Sequence, residues 1–156
     1  MRYTKVLDFL TQTDGAPVVY ILKASIAAVI GTILMILVSA QFMPAPPASE
    51  SEPSRIALAM ILLGIWPLIS TAVIAAFLRV AKRFTPTYWH AAAAAAISFA
   101  LLLSLLLGVV VGIVYLWPFF IYAVAFLAWQ IKSEQQAWLM SILVHSTVNL
   151  LPVLLM

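Results

Sequence analysis

The chain contains no cysteine and very few charges: 5 acidic and 8 basic side chains, 8% of its 156 residues. Without cysteine there is no disulfide framework, no thiolate metal site and no redox pair. So few charges exclude an ordinary soluble enzyme, because soluble domains are about a quarter charged. The basic residues form no stripe on which a polyanion could lie, so no nucleic-acid partner is expected. What remains is apolar. Hydrophobic residues make up 65% of the chain, and the mean hydropathy is +1.14. One soluble core could not hide this surface, so the lipid bilayer is the expected partner.

Apolar runs and their breaks predict an all-α polytopic transmembrane helix bundle of about five spans. Residues 1–20 read as an amphipathic lead-in, because Arg2, Lys5, Asp8 and Asp14 alternate with apolar residues up to the turn signal Asp14-Gly15-Ala16-Pro17. Its acids are wrong for a cleaved signal peptide. The rest, 21–156, reads as one transmembrane domain. The first span is expected over 21–43, with Lys23 snorkelling at its entrance. The proline-rich stretch 44–53, with Glu50 and Glu52, cannot continue a helix and reads as an aqueous loop. A second span is expected over 55–78, kinked at Pro67, which leaves the Leu63 carbonyl without a partner. From Ala91 to Trp129 there is no charge. That run would form nearly 60 Å of helix at about 1.5 Å per residue, so it must turn back once in a bilayer core of about 30 Å. Proline favours a helix start and tryptophan an interface, so the turn is expected within 108–117. The third and fourth spans then run over 88–107 and 118–132. The polar break Lys132 to Gln136 leaves a fifth span over 137–156.

Lysine and arginine set the expected orientation. Arg2, Lys5, Lys23, Arg79, Lys82, Arg83 and Lys132 fall on one side, and Arg55 alone on the other. The N-terminus is therefore expected in the cytoplasm.

No acid or base lies deep in a span, so any chemistry must come from a few polar residues. His145 and Asn149 are spaced i, i+4 and share a helix face. Facing lipid they would be expensive, so they are expected to face the bundle interior. They could form a hydrogen-bonding cradle, or tie one helix to another through a serine or threonine. Ser70 and Thr71 follow Pro67, where their hydroxyls could satisfy the carbonyls that proline frees. A serine nucleophile would need a base in reach, and His145 is the candidate. Metal and cofactor are expected to be absent, since zinc needs three or four ligands and only His145 is deep. Ser98 and Ser104 lie in the third span, His90 sits beside the anchor Trp89, and Ala91–Ala96 reads as a smooth packing face.

The stretch from Trp138 through His145 to Asn149 resembles the last motif of the CPBP intramembrane protease family, which includes CAAX prenyl endopeptidases and bacteriocin-processing proteins. That motif is a tryptophan followed by His-x-x-x-Asn. Backwards from there, Phe99 and Leu103 stand where the family has Phe-x-x-x-His. Pro67 precedes Ser70 and Thr71, which stand where the family has a Glu-Glu pair. Ala75 stands at the following arginine, and the basic stretch Arg79 to Arg83 is present. The resemblance covers residues 67–152. It implies a fold in which glutamate activates water, the second-motif histidine assists, and the His/Asn pair holds the oxyanion. Here the first two are replaced, by Ser70 with Thr71 and by Leu103. Glu50 and Arg55 repeat the Glu-to-Arg spacing, but in an aqueous loop.

The resemblance therefore implies a non-catalytic homologue, a pseudoenzyme of a bacterial inner membrane that binds a peptide or membrane-protein partner. His145 and Asn149 are its residual site candidates. Two alternatives stand beside it: an active endopeptidase using altered residues, and a small accessory subunit or transporter component with no protease ancestry.

Overall fold

The computed structural model describes residues 8–42, 54–85 and 87–155. The first seven residues, the proline-rich loop with Glu50 and Glu52, and Pro86 lie outside them. Helix α1 (Pro17–Ser39) starts with proline in its first turn, where a missing N–H costs nothing. A 3₁₀ turn, Ala40–Phe42, extends it. A short α2 (Arg55–Met60), a π-helical turn (Ile61–Ile65) and α3 (Trp66–Phe84) form one continuous rod. Then come α4 (Tyr88–Leu107), α5 (Val109–Gln130) and α6 (Glu134–Leu155). Among the described residues, five helical segments are long and apolar enough to span a membrane.

Several boundaries differ from expectation: α5 ends at Gln130 rather than Lys132, α6 opens at Glu134 rather than Ala137, and three others differ for a physical reason. The fourth span begins at Val109, not Pro118, and Pro118 lies inside α5. The whole turn is Gly108, whose φ of 101° a side chain would resist. A proline can stay within a helix in lipid, because neighbouring groups can satisfy the freed backbone. The second span continues to Phe84 rather than Leu78. Its last turns carry Arg79, Lys82 and Arg83 out of the apolar zone, and charge alone does not end a helix. At the other end of the chain order, the lead-in stops at Ala16, since α1 already begins at Pro17.

Helix α5 is the centre of the bundle. It is apolar all round, and it packs on α1, α3, α4 and α6. From Ile121 to Trp129 every residue is buried. Helices α4 and α5 approach closely at Gly112, where a side chain would strike the Ser104 hydroxyl and the Ala100 carbonyl. Ala91, Ala92, Ala95 and Ala96 turn inward, so the alanine run does form a packing face. Helix α1 is the least enclosed, with Leu22, Ile26, Ile30, Leu34 and Leu37 exposed.

One end of the bundle collects the basic residues. Arg79 pairs with Glu134 at 2.8 Å, Lys82 donates to Gln130, and Lys132 donates to the Thr13 carbonyl. Lys132 also sits 4.6 Å above the Trp129 ring. The lead-in is tied down there by the Tyr20 hydroxyl, which donates to the Leu10 carbonyl at 2.9 Å.

Candidate functional site

The site forms where the rod leans on α6. On α3 the buried residues are Pro67, Ser70, Thr71, Ile74, Ala75 and Leu78. Their spacing of three and four makes one face. On α6 the matching face is Ala137, Ser141, Val144, His145, Val148 and Asn149. These two faces meet, and α5 closes the third side.

Ser70 and His145 are in direct contact, with Oγ 2.8 Å from Nδ1. Both are fully buried. The Ser70 hydroxyl also donates to the Pro67 carbonyl at 3.2 Å. Both bonds form together only when Nδ1 carries the imidazole proton and donates it to Ser70. In that arrangement Nε2 is a bare lone pair, and no partner for Nε2 exists among the described residues. The ring is clamped by aromatics. Tyr122 stacks on it at 4.2 Å between centroids, and Phe119 meets it edge-on at 6.3 Å. Phe119 in turn stacks on Phe99 at 4.1 Å. Phe99 thus reaches the imidazole through one intervening ring. Leu103 is buried one turn further along α4.

Thr71 makes only a long contact, 3.5 Å to the Ser141 hydroxyl. Ser141 donates to the Tyr122 carbonyl at 3.3 Å. Ala75 fills the position after the pair with a buried methyl group.

Asn149 shares the face of His145 but not its partner. Its Nδ2 donates to the Leu62 carbonyl at 2.7 Å. Ser146, on the turn between them, donates to the Leu63 carbonyl at 2.8 Å. Those two carbonyls have a common history. Proline has no N–H, so Pro67 leaves Leu63 unpaired in α-helical register and Leu62 unpaired in π-helical register. The rod is in π register here, with the Trp66 N–H reaching the Ile61 carbonyl. Side chains of α6 therefore supply what Pro67 withholds. The Ser70 and Thr71 hydroxyls do not perform this task, contrary to expectation. They are one turn too late, and Ser70 reaches only the carbonyl of Pro67 itself.

No cavity among the described pockets is lined by Ser70, His145 and Asn149 together. Asn149 alone borders a cleft of about 320 Å³, shared with Thr32, Tyr115, Pro118, Tyr122 and Pro152. Among the described residues no three histidine or acidic side chains converge as metal ligands would. His90 is exposed and bonds to the Thr87 hydroxyl within its own turn. Ser104 bonds back to the Ala100 carbonyl at 2.8 Å.

Ser141 and Ser146 were not singled out from the sequence. The row Ser141, His145, Asn149 at intervals of four was available as a signal, and it would have marked Ser141. Nothing marks Ser146, because its acceptor is a backbone atom. Compared with known proteins, the chain matches no family model, no curated protein and no solved structure.

Proposed function

We propose that this chain is a non-catalytic membrane protein of the CPBP intramembrane protease type, one that binds a peptide or membrane-protein partner without cleaving it. The observation that carries the reading is the Ser70–His145 contact. It joins the two helices at the positions where the resemblance puts a glutamate and the oxyanion-binding histidine. The rod and α6 meet there against α5, and Phe99 of α4 approaches only through Phe119 of α5. The chemistry is what is missing. No carboxylate among the described residues stands beside His145, Ser70 is spending its proton on the Pro67 carbonyl, and the ring is closed in by Tyr122 and Phe119. A general base contributes about 10²–10⁴-fold to such a reaction.

The second reading is an endopeptidase with Ser70 as nucleophile, and the same 2.8 Å contact is what favours it. It requires His145 to accept the Ser70 proton and a substrate to reach a fully buried atom. The packing supports the first reading over this one. The basic end, in turn, supports a cytoplasmic N-terminus in a bacterial inner membrane.

The test is turnover of prenylated and transmembrane reporter peptides by the purified chain in lipid nanodiscs. The expected outcome is peptide recovered intact by mass spectrometry, at the level seen with His145→Ala. Cleavage that His145→Ala abolishes would establish the endopeptidase instead.

A further inference from the structure

A cleft of about 620 Å³ runs along α1, walled by Ile26, Ile30, Leu34 and Met35 and by Trp117 of α5. Its wall is built rather than incidental. The Trp117 Nε1 donates to the Ala27 carbonyl at 2.9 Å, and any side chain at Gly31 would collide with the indole. With that donor spent, the wall offers a ligand almost nothing but apolar surface.

The two ends of the cleft differ. Lys23 closes one end, and it also borders a small recess with Gln12, Gly15 and Tyr20. A cation thus stands where a polar recess opens into an apolar trough. Arg79, Lys82 and Lys132, on the same end of the bundle, each have an acceptor. Lys23 makes no ion pair or hydrogen bond among the described residues. From Lys23 to Met35 the helix rises about 18 Å at 1.5 Å per residue. One leaflet offers about half of a 30 Å hydrocarbon core. A spanning helix from another protein would need twice that length of trough. It would also have to cover a lysine that has no counter-charge among the described residues.

We propose that this cleft holds one anionic phospholipid from the leaflet at the basic end. Its phosphate pairs with Lys23, and one acyl chain lies along Ile26, Ile30 and Leu34 against Trp117. The inference rests on the bundle alone and does not depend on the protease-like reading.

The chain is tested in nanodiscs of equal phosphatidylglycerol and phosphatidylcholine, with retained lipid read by native mass spectrometry. Retention of one phosphatidylglycerol is expected, favoured about fivefold, as for one lysine at the membrane surface. Lys23→Gln brings the ratio near one, Lys23→Arg keeps it, and Ile30→Trp, which fills the trough, removes the retained lipid. No retained lipid, an unchanged ratio in Lys23→Gln, or a second copy of the chain held in place of lipid would each overturn the proposal. Should Lys23→Gln fail to fold, tryptophan quenching in the unaltered chain decides. Bromines carried by phosphatidylglycerol must quench more than the same bromines on phosphatidylcholine in an identical mixture, and equal quenching refutes the site.

Discussion

His145 carries the most consequence of any single residue in the bundle. Its ring is fully buried, held by one hydroxyl and stacked on Tyr122. A buried polar pair behaves asymmetrically. Removing one partner strands the other, at a cost of about 1–3 kcal/mol, while replacing both with apolar groups of similar shape is nearly neutral. Ser70→Ala is therefore expected to lower thermal stability clearly, because it leaves Nδ1 without a partner beside an already unpartnered Nε2. Ser70→Ala combined with His145→Phe is expected to recover most of that loss, since a phenyl ring keeps the stack on Tyr122. Unfolding of the two single variants and the double variant in detergent measures the coupling. Additive losses would show that the 2.8 Å contact contributes nothing. Ser70 and His145 both lie on helix faces readable from the spacing of their neighbours. Their closeness was legible for that reason. The aromatic clamp was not, because aromatic residues so frequent in a membrane helix do not reveal which one of them meets an imidazole.

At the scale of helices, the rod from Arg55 to Phe84 and α6 form one hydrogen-bonded unit. Asn149 and Ser146 matter because Pro67 cannot donate. Side-chain hydrogen bonds between membrane helices are worth about 0.6–2 kcal/mol. Asn149→Ala and Ser146→Ala should each cost an amount in that range. In a Pro67→Ala background, the restored backbone N–H can serve one of the two carbonyls. The combined loss from the two α6 substitutions should then shrink. Equal losses in both backgrounds would mean that the proline and the α6 donors act independently. The missing backbone donor is visible in the sequence as a proline within an apolar run, but the expected remedy falls on the wrong residues. Ser70 and Thr71 were the nearest hydroxyls in sequence, while the donors came from 80 or more positions away. Pro118 misled in a similar manner. Proline often opens a helix, and only the positive φ of Gly108 distinguishes the actual turn from the proline ten residues beyond it.

Across the whole molecule, five apolar segments were legible because lipid admits almost no alternative to a closed helix. Which side each end occupies is a matter of charge. Arg79, Lys82 and Lys132 gather at one end through contacts with Glu134, Gln130 and the lead-in. The absence of native cysteine makes this end easy to locate, since any introduced thiol is the only one present. Arg83→Cys and Ile131→Cys are expected to react with a membrane-impermeant thiol reagent only after the cells are opened. Ser54→Cys is expected to react on intact cells. The reverse pattern would place the basic end outside.

The dependence of the rod on α6 also has a meaning for biosynthesis. Residues 55–84 emerge from the ribosome well before residues 146 and 149, and they reach the bilayer with a carbonyl, that of Leu63 in α register or Leu62 in π register, that nothing in the nascent segment can pair. An unpaired carbonyl in hydrocarbon costs several kcal/mol. Until α6 arrives, that span must lean on water, on lipid headgroups or on the insertion machinery. Completion of the early span is thus postponed until residues 146–149 have been made, and a chain released before them carries its own mark of incompleteness.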